Sequence, residues 1–204
     1  MLEGYERDRF GVIKQLNPKD VDYSGLYQQR IKDRGHQNNL NMSYLRYGYM
    51  VGALGFVPQS LLDVGYGDGA FLEFCSQKIK CFGNEISGAP IPEGCEFVSD
   101  ITKGSYQVIT FFDSLEHFKS LDFIGDLNCS YIYLSVPCCR YDSDEWFRDW
   151  KHRKPDEHIW HFNTDSIQNL FWYYKYDAIN LSFIEDIIRK ADVPNILSVV
   201  FSKL

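Results

Sequence analysis

Asp63-Val-Gly65-Tyr66-Gly67-Asp68-Gly69 sets an acid two residues ahead of three alternating glycines. A glycine turn lets main chain pass close to a ligand, because no Cβ stands in the way. The acid ahead of it offers a carboxylate to a cationic group. Glu85 follows about 20 residues after Asp63, the spacing at which an acid can hydrogen-bond both hydroxyls of a ribose. Asp100 and Asp113 each come just after an apolar run, so each stands near the end of an expected strand. Asp113 opens Asp-Ser-Leu-Glu116-His117, and His158 lies in a segment crowded with tryptophan and charge. Histidine is the side chain suited to take a proton from a hydroxyl at neutral pH. Together these residues suggest a nucleoside-bearing ligand with a reacting group beside it.

The elements that must hold them can be read from periodicity. Leu61–Val64 is a short apolar run that predicts a buried parallel strand, and from Ala70 the pattern turns helical, with Leu72, Cys75 and Ile79 on one face. Strand, glycine turn and helix form the nucleotide-binding unit of doubly wound α/β folds. Further strands are expected at Lys80–Glu85, Cys95–Val98, Tyr106–Phe112, Tyr131–Pro137, Tyr176–Ile184 and Asn195–Ser202. Helices are expected at Leu26–Arg34, at Asn41–Leu54 and after Asn163 or Thr164, either of which can cap. Two prolines and two glycines between Ser87 and Gly94 argue against a crossover helix there.

The glycine turn alone admits two readings. Gly65-x-Gly67-x-x-Ala70 satisfies a loose dinucleotide fingerprint. Asp63-x-Gly65-x-Gly67-x-Gly69 resembles motif I of the class I S-adenosylmethionine-dependent methyltransferases. Phe111-Phe112-Asp113-Ser114-Leu115-Glu116-His117-Phe118 decides between them, since it resembles the fourth motif of many small-molecule methyltransferases. The run from Trp146 through Pro155-Asp156-Glu157-His158 to Phe162 resembles the segment after the fifth strand in the ubiquinone-type and sugar-type branches. The resemblance covers roughly residues 60 to 204. It implies a Rossmann-like, doubly wound, seven-stranded sheet, mostly parallel with an antiparallel last strand. It also implies S-adenosyl-L-methionine as cofactor.

On that resemblance the chain is one domain, 1–204. Residues 1–58 form an N-terminal helical cover, 60–136 the cofactor-binding half, 138–163 an aromatic lid and 164–204 a helix with closing strands. Gly65, Tyr66, Gly67, Glu85, Ile86, Asp100 and Ile101 would serve the adenosine half of the cofactor. Asp63, Phe112 and Asp113 would serve its ammonium, and Arg46 its carboxylate. His158, and behind it His117, are the candidate bases. In ubiquinone-type enzymes the acid-x-x-Glu-His pattern can hold a divalent cation. Asp113, Glu116 and His117 match it in outline, but a role in the fold is preferred and no metal is expected.

Composition narrows the partners. The 204 residues, 45% of them hydrophobic, suit one domain with a full core. A formal net charge of −7 lacks the basic footprint of backbone-driven nucleic-acid binding. The six cysteines contain no Cys-x-x-Cys and suggest buried, reduced thiols in a cytoplasmic protein. The charged N-terminus has no apolar signal core, and no run is long enough to span a bilayer. The expectation is therefore an enzyme that methylates a small molecule, at oxygen rather than nitrogen. Lys151, His152, Arg153 and Lys154 beside Trp146 and Trp150 would suit an anionic acceptor, although a solvated loop balanced by Asp142, Asp144, Glu145 and Asp149 is the preferred reading of that cluster. Two alternatives remain open: a nucleic-acid or protein methyltransferase using that cluster, and a cofactor-binding regulator or assembly subunit without turnover.

Overall fold

The computed structural model describes residues 1–23 and 36–204. Its main sheet has seven strands in the order β5-β4-β3-β6-β7-β10-β9. These are β3 (Ser60–Val64), β4 (Lys80–Asn84), β5 (Cys95–Phe97), β6 (Tyr106–Phe112), β7 (Cys129–Pro137), β9 (Tyr176–Ser182) and β10 (Ile196–Lys203). Strands β3 to β7 pair in parallel, and β10 runs antiparallel to both β7 and β9. The chain builds outward from β3 to β5 and then returns to the other side of β3 as β6. That reversal is a topological switch point, and ligands of open α/β sheets bind beyond the carboxyl ends of the strands there. Gly65 and Asp113 leave β3 and β6 at this place.

The strands are where the apolar runs put them, because both faces of the central sheet are covered. Leu61, Leu62, Ile109, Phe111, Ile132 and Leu134 are fully buried. Helix α1 (His36–Leu54) packs on α2 (Ala70–Ser76), with Tyr44 and Tyr47 meeting Phe74 edge-on at 4.9 and 5.2 Å. It stops at Gly55, whose φ of +77° few other residues adopt without strain. Helix α3 (Asp144–Asp149) follows β7, and Asn163 caps α4 (Thr164–Tyr173) in a capping box with Ser166. No helix forms between β4 and β5, as the prolines and glycines there require. Among the described residues, no helix is long and apolar enough to cross a membrane.

The expected helical cover is only partly helical. Residues Tyr5–Arg7 (β1) and Ile13–Gln15 (β2) form an antiparallel hairpin. Asp8 shapes its turn by accepting the N–H groups of Phe10 and Val12, both at 2.9 Å. Strand β2 then pairs with β8 (Trp160–His161), so the N-terminus and the 138–163 insertion share a three-stranded sheet. Three-residue strands leave too little alternation to be read from sequence. The helix expected at Leu26–Arg34 lies outside the described residues.

The insertion also departs from expectation. Its tryptophans line neither of the two central clefts: Trp146 and Trp150 pack into a small core shared with the N-terminal segment, and Trp160 joins the main core. Ile13, Cys139 and Phe147 are buried in the small core, with Trp146 and Trp150 packed against them. Trp146 stacks on Trp150 at 5.4 Å, and Trp160 donates its Nε1–H to the Phe118 carbonyl at 2.7 Å. Five of the six cysteines are buried and Cys95 is half-buried.

Candidate functional site

Two clefts meet at the switch point. The larger, of about 620 Å³, is lined by Asp63, Gly65, Gly67, Phe112 and Asp113 below. Arg46 of α1 and Lys151, His152, Lys154 and His158 of the insertion close it from above. The smaller, of about 360 Å³, is lined by Val64, Asn84, Glu85, Ile86, Ser114 and Phe118. Gly65, Asp113 and His117 belong to both.

The glycine turn is held by tight packing and by one acid. Gly65 and Gly67 have φ of +78° and +61°. A Cβ on Gly65 would stand 2.6 Å from the Cβ of Ser114, so the β3 and β6 turns touch through a residue without a side chain. Glu85 accepts the N–H of Gly67 and that of Ser87, each at 2.8 Å. It therefore braces the turn and retains lone pairs for a ligand hydroxyl. Ile86 is 76% exposed beside it. Tyr66 is turned inward: its ring packs beside Gly83, and its hydroxyl donates to the Ala89 carbonyl at 2.6 Å.

Asp63 is buried, accepts the Thr110 hydroxyl at 2.7 Å and lines the large cleft. Burial raises its pKa to about 7, opposed by the Thr110 hydrogen bond and the nearby Arg46 charge. Asp113 sits in the left-handed region with φ of +51°. Arg46 lies over the Phe112 ring at 4.1 Å, and its Nε donates to Glu185 at 2.7 Å. The expected carboxylate ligand is thus already in an ion cluster with Glu185, Asp113 and Arg189.

Asp100 and Ile101 reach neither cleft. Strand β5 ends at Phe97, and Val98 then bonds back to Gly83 and Asn84. Asp100 turns onto Thr102, whose hydroxyl it accepts at 2.7 Å, and pairs with Lys103 at 3.3 Å. Ile101 packs against the main core. Without a crossover helix to set the height of β5, the expected adenine acid falls outside the site.

His117 and His158 come together with their rings edge-on and centroids 4.7 Å apart. His117 Nδ1 lies 2.8 Å from the Glu157 carbonyl, so it carries the proton and Nε2 is left as an acceptor. Burial pushes the pKa of His117 down, against the pull of the Glu157 carbonyl, and that of His158 down to about 2, with the Lys154 charge acting in the same direction on both. Both rings are therefore neutral at physiological pH. Glu116 is buried with both carboxylate oxygens lacking a hydrogen-bond partner, and burial next to Asp113 raises its pKa. Single ligand atoms of Glu116, His117 and His158 lie within 4.8 Å of one another. Donors around one ion at about 2.1 Å stand at most about 4.2 Å apart, so a small contraction would let this trio hold a divalent cation. The trio differs by one member, His158 in place of Asp113, from the pattern matched in outline in the sequence, for which no metal was expected.

Several lining residues carry no motif: Asn39, Met42 and Ser43 of α1, and Arg189 of α5 (Asp186–Arg189). For Arg189 a signal existed, since Glu185 and Arg189 stand four apart as a helical ion pair does. The others are brought in by tertiary packing alone.

A family model described as a methyltransferase domain matches residues 45–181. No curated protein matches the chain. Solved structures do match in fold. Magnesium protoporphyrin IX methyltransferase from Synechocystis, with S-adenosylhomocysteine bound, superposes with a TM-score of 0.61 at 11% identity, over 89% of this chain and 96% of that one. The 1,6-didemethyltoxoflavin-N1-methyltransferase of Burkholderia thailandensis gives 0.59 at 13% identity over 98% of both chains. A plantazolicin methyltransferase gives 0.57 at 14%, over 87% of this chain and 89% of that one. Matched by the family model over more than half its length, and folded around the same sheet, the chain belongs to the methyltransferase-domain family, with the class I architecture of the S-adenosylmethionine-dependent enzymes.

Proposed function

We propose that the protein transfers the methyl group of S-adenosylmethionine to an oxygen of a small, anionic acceptor. The observation that carries this reading is the continuity of the large cleft, from the glycine turn and Asp63 to His117, His158, Lys151 and Lys154. The adenosine half occupies the smaller cleft, with Glu85 at its ribose and Ile86 beside it. The methionine half runs into the larger cleft over Gly67, its ammonium toward Asp63 and the turn at Phe112 and Asp113. The acceptor enters from above, under the insertion. Lys151 has no hydrogen-bond or ion-pair partner among the described residues, and Lys154 pairs only at 3.4 Å with Glu157. Both favour a carboxylate or phosphate on the acceptor.

The sulfonium methyl is already activated, so the protein's task is to align two reactants and exclude water. The new bond joins the acceptor oxygen to the methyl carbon as the carbon–sulfur bond breaks, with the electron pair returning to sulfur. A histidine with a pKa near 2 is a weak proton acceptor, so His158 positions the acceptor oxygen more than it deprotonates it. His117, through Nε2, is the better candidate for receiving the hydroxyl proton.

A cation-assisted reading is favoured by the unpartnered carboxylate of Glu116. Glu116, His117 and His158 would hold the ion, and its charge would lower the pKa of an acceptor hydroxyl. Thermal shift with magnesium, manganese or zinc tests this separately from activity. No rise in melting temperature with any of the three would remove the reading.

Labelled cofactor offered with hydroxylated aromatic acids, sugar phosphates, RNA and a protein mixture tests the main proposal. Label should appear in a small acid. Label only in the polymers would overturn the acceptor class, and label in none would favour a regulator without turnover.

A further inference from the structure

The connection between β9 and β10 folds α5 onto the rim of the large cleft. Asp186 fixes it by accepting the N–H groups of Asn195 and Ile196, at 2.8 and 3.1 Å. Glu185, just before this turn, has no solvent exposure. Its two oxygens accept from two arginines: Arg46 Nε at 2.7 Å and Nη2 at 3.1 Å, and Arg189 Nη2 at 2.7 Å and Nε at 3.1 Å. Arg189 Nη2 also donates to Asp113 at 2.6 Å. Each guanidinium therefore spends its Nε and Nη2 edge on acids of the protein. Among the described residues, neither Nη1 has a partner, which leaves two N–H groups on each side chain for another acceptor.

We propose that Arg189 and Arg46 together bind the carboxylate of the cofactor's methionine half, and that Glu185 is the positioning residue that holds the two guanidiniums side by side. The assignment rests on the cofactor lying in the large cleft. Two guanidiniums and two carboxylates sum to zero charge, and a zwitterionic amino acid adds none. Its carboxylate meets the guanidiniums while its ammonium faces Asp63 and Asp113. Without Glu185 the two like charges repel and the rotamers that aim them are lost. The methionine end would then be read by a turn near the carboxyl end of the chain, 139 residues from its partner on α1.

Calorimetry with two ligands tests this. S-adenosylhomocysteine has the amino-acid half, whereas 5′-methylthioadenosine has the same nucleoside and sulfur without it. The unmodified protein should bind the first at least about tenfold more tightly, as a charge-assisted contact implies. Glu185→Gln and Arg189→Lys should each lose about tenfold in affinity for S-adenosylhomocysteine and stay within about twofold for methylthioadenosine. Equal affinity of the unmodified protein for both ligands would overturn the assignment even if a variant fails to fold. So would unchanged affinity for S-adenosylhomocysteine in the variants, or equal losses for both ligands. Failure of the unmodified protein to bind either ligand would overturn the cofactor placement along with it.

Discussion

The floor and the roof of the large cleft are built in opposite ways. The floor is main chain. Gly65 and Gly67 hold a left-handed turn, Glu85 clamps it through the N–H of Gly67 while also accepting that of Ser87, and Ser114 of the next turn closes against a missing Cβ. Its parts lie close in sequence, or one strand away. The roof is side chain. Arg46 comes from α1, Lys151 and His158 from the insertion, and Arg189 from the β9–β10 connection. Its parts are far apart in sequence and are held by ion pairs and by the aromatic cluster behind them. On the proposed placement the floor and the two arginines meet the cofactor, and Lys151 and His158 of the insertion meet the acceptor. The difference predicts that damage to the floor abolishes cofactor binding, whereas damage to the insertion's part of the roof changes stability or the acceptor and damage to the roof's two arginines weakens the hold on the cofactor's methionine end.

The largest effect should come from the floor. Gly65→Val forces a β-branched residue to a φ of +78° and into Ser114. The left-handed conformation alone costs roughly 1–2 kcal/mol, before the clash. Binding of S-adenosylhomocysteine should become undetectable by calorimetry. Retention of micromolar binding would mean that the turn does not meet the cofactor.

The roof's aromatic cluster should respond differently. Trp150 stacks on Trp146 and meets Phe147, His152 and His161. Trp150→Ala should remove about 2 kcal/mol of packing, a fall of about 4–8 °C in melting temperature, with cofactor affinity little changed. A variant that keeps its melting temperature but transfers slowly would restore these rings to the role of a ligand-facing lid. His158→Ala is the counterpart: transfer should slow by about tenfold or more while cofactor affinity holds.

The same contrast governs what the sequence makes legible. Asp63, the glycines, Glu85 and Asp113 could be named because main-chain turns and strand ends leave local signals. The positions of the main-sheet strands followed from their apolar runs. The hairpin of β1 and β2 left none, since its strands gain their order from β8, far along the chain. Asp100 was misplaced because its position depends on a crossover that prolines and glycines have rebuilt. The tryptophans of the insertion marked a core, because an aromatic-rich segment looks the same whether it covers a ligand or itself.

Asp63 gives a pH test of the junction between floor and roof. Its folded pKa near 7 exceeds the ordinary carboxylate value, so the stability it confers is complete at acid pH and is lost as pH rises through about 7. An ammonium beside it reverses the preference by favouring the charged form. Affinity for S-adenosylhomocysteine should therefore rise about tenfold between pH 6 and pH 8, with a proton released on binding. Asp63→Asn should flatten the profile. A flat profile in the unmodified protein would place the ammonium elsewhere.

The smallest effect concerns the outer roof. Lys151 is exposed at the cleft rim, and its neighbour His152 is neutral at physiological pH, burial having pushed its pKa down to about 4. The positive charge that an acceptor meets first is therefore Lys151, then Lys154, whose charge is shared with Glu157. An exposed charge acts through solvent and salt, so its pull on an anion is worth only about 0.2–1 kcal/mol. Lys151→Gln should raise KM for an anionic acceptor about two- to fivefold, leave kcat and cofactor affinity unchanged, and remove part of the salt dependence of KM. A neutral analogue of the same acceptor should not distinguish the two proteins. If KM rises equally for charged and neutral acceptors, Lys151 shapes the entrance by its bulk and not by its charge. The roof would then select its acceptor by fit, as the floor does its cofactor.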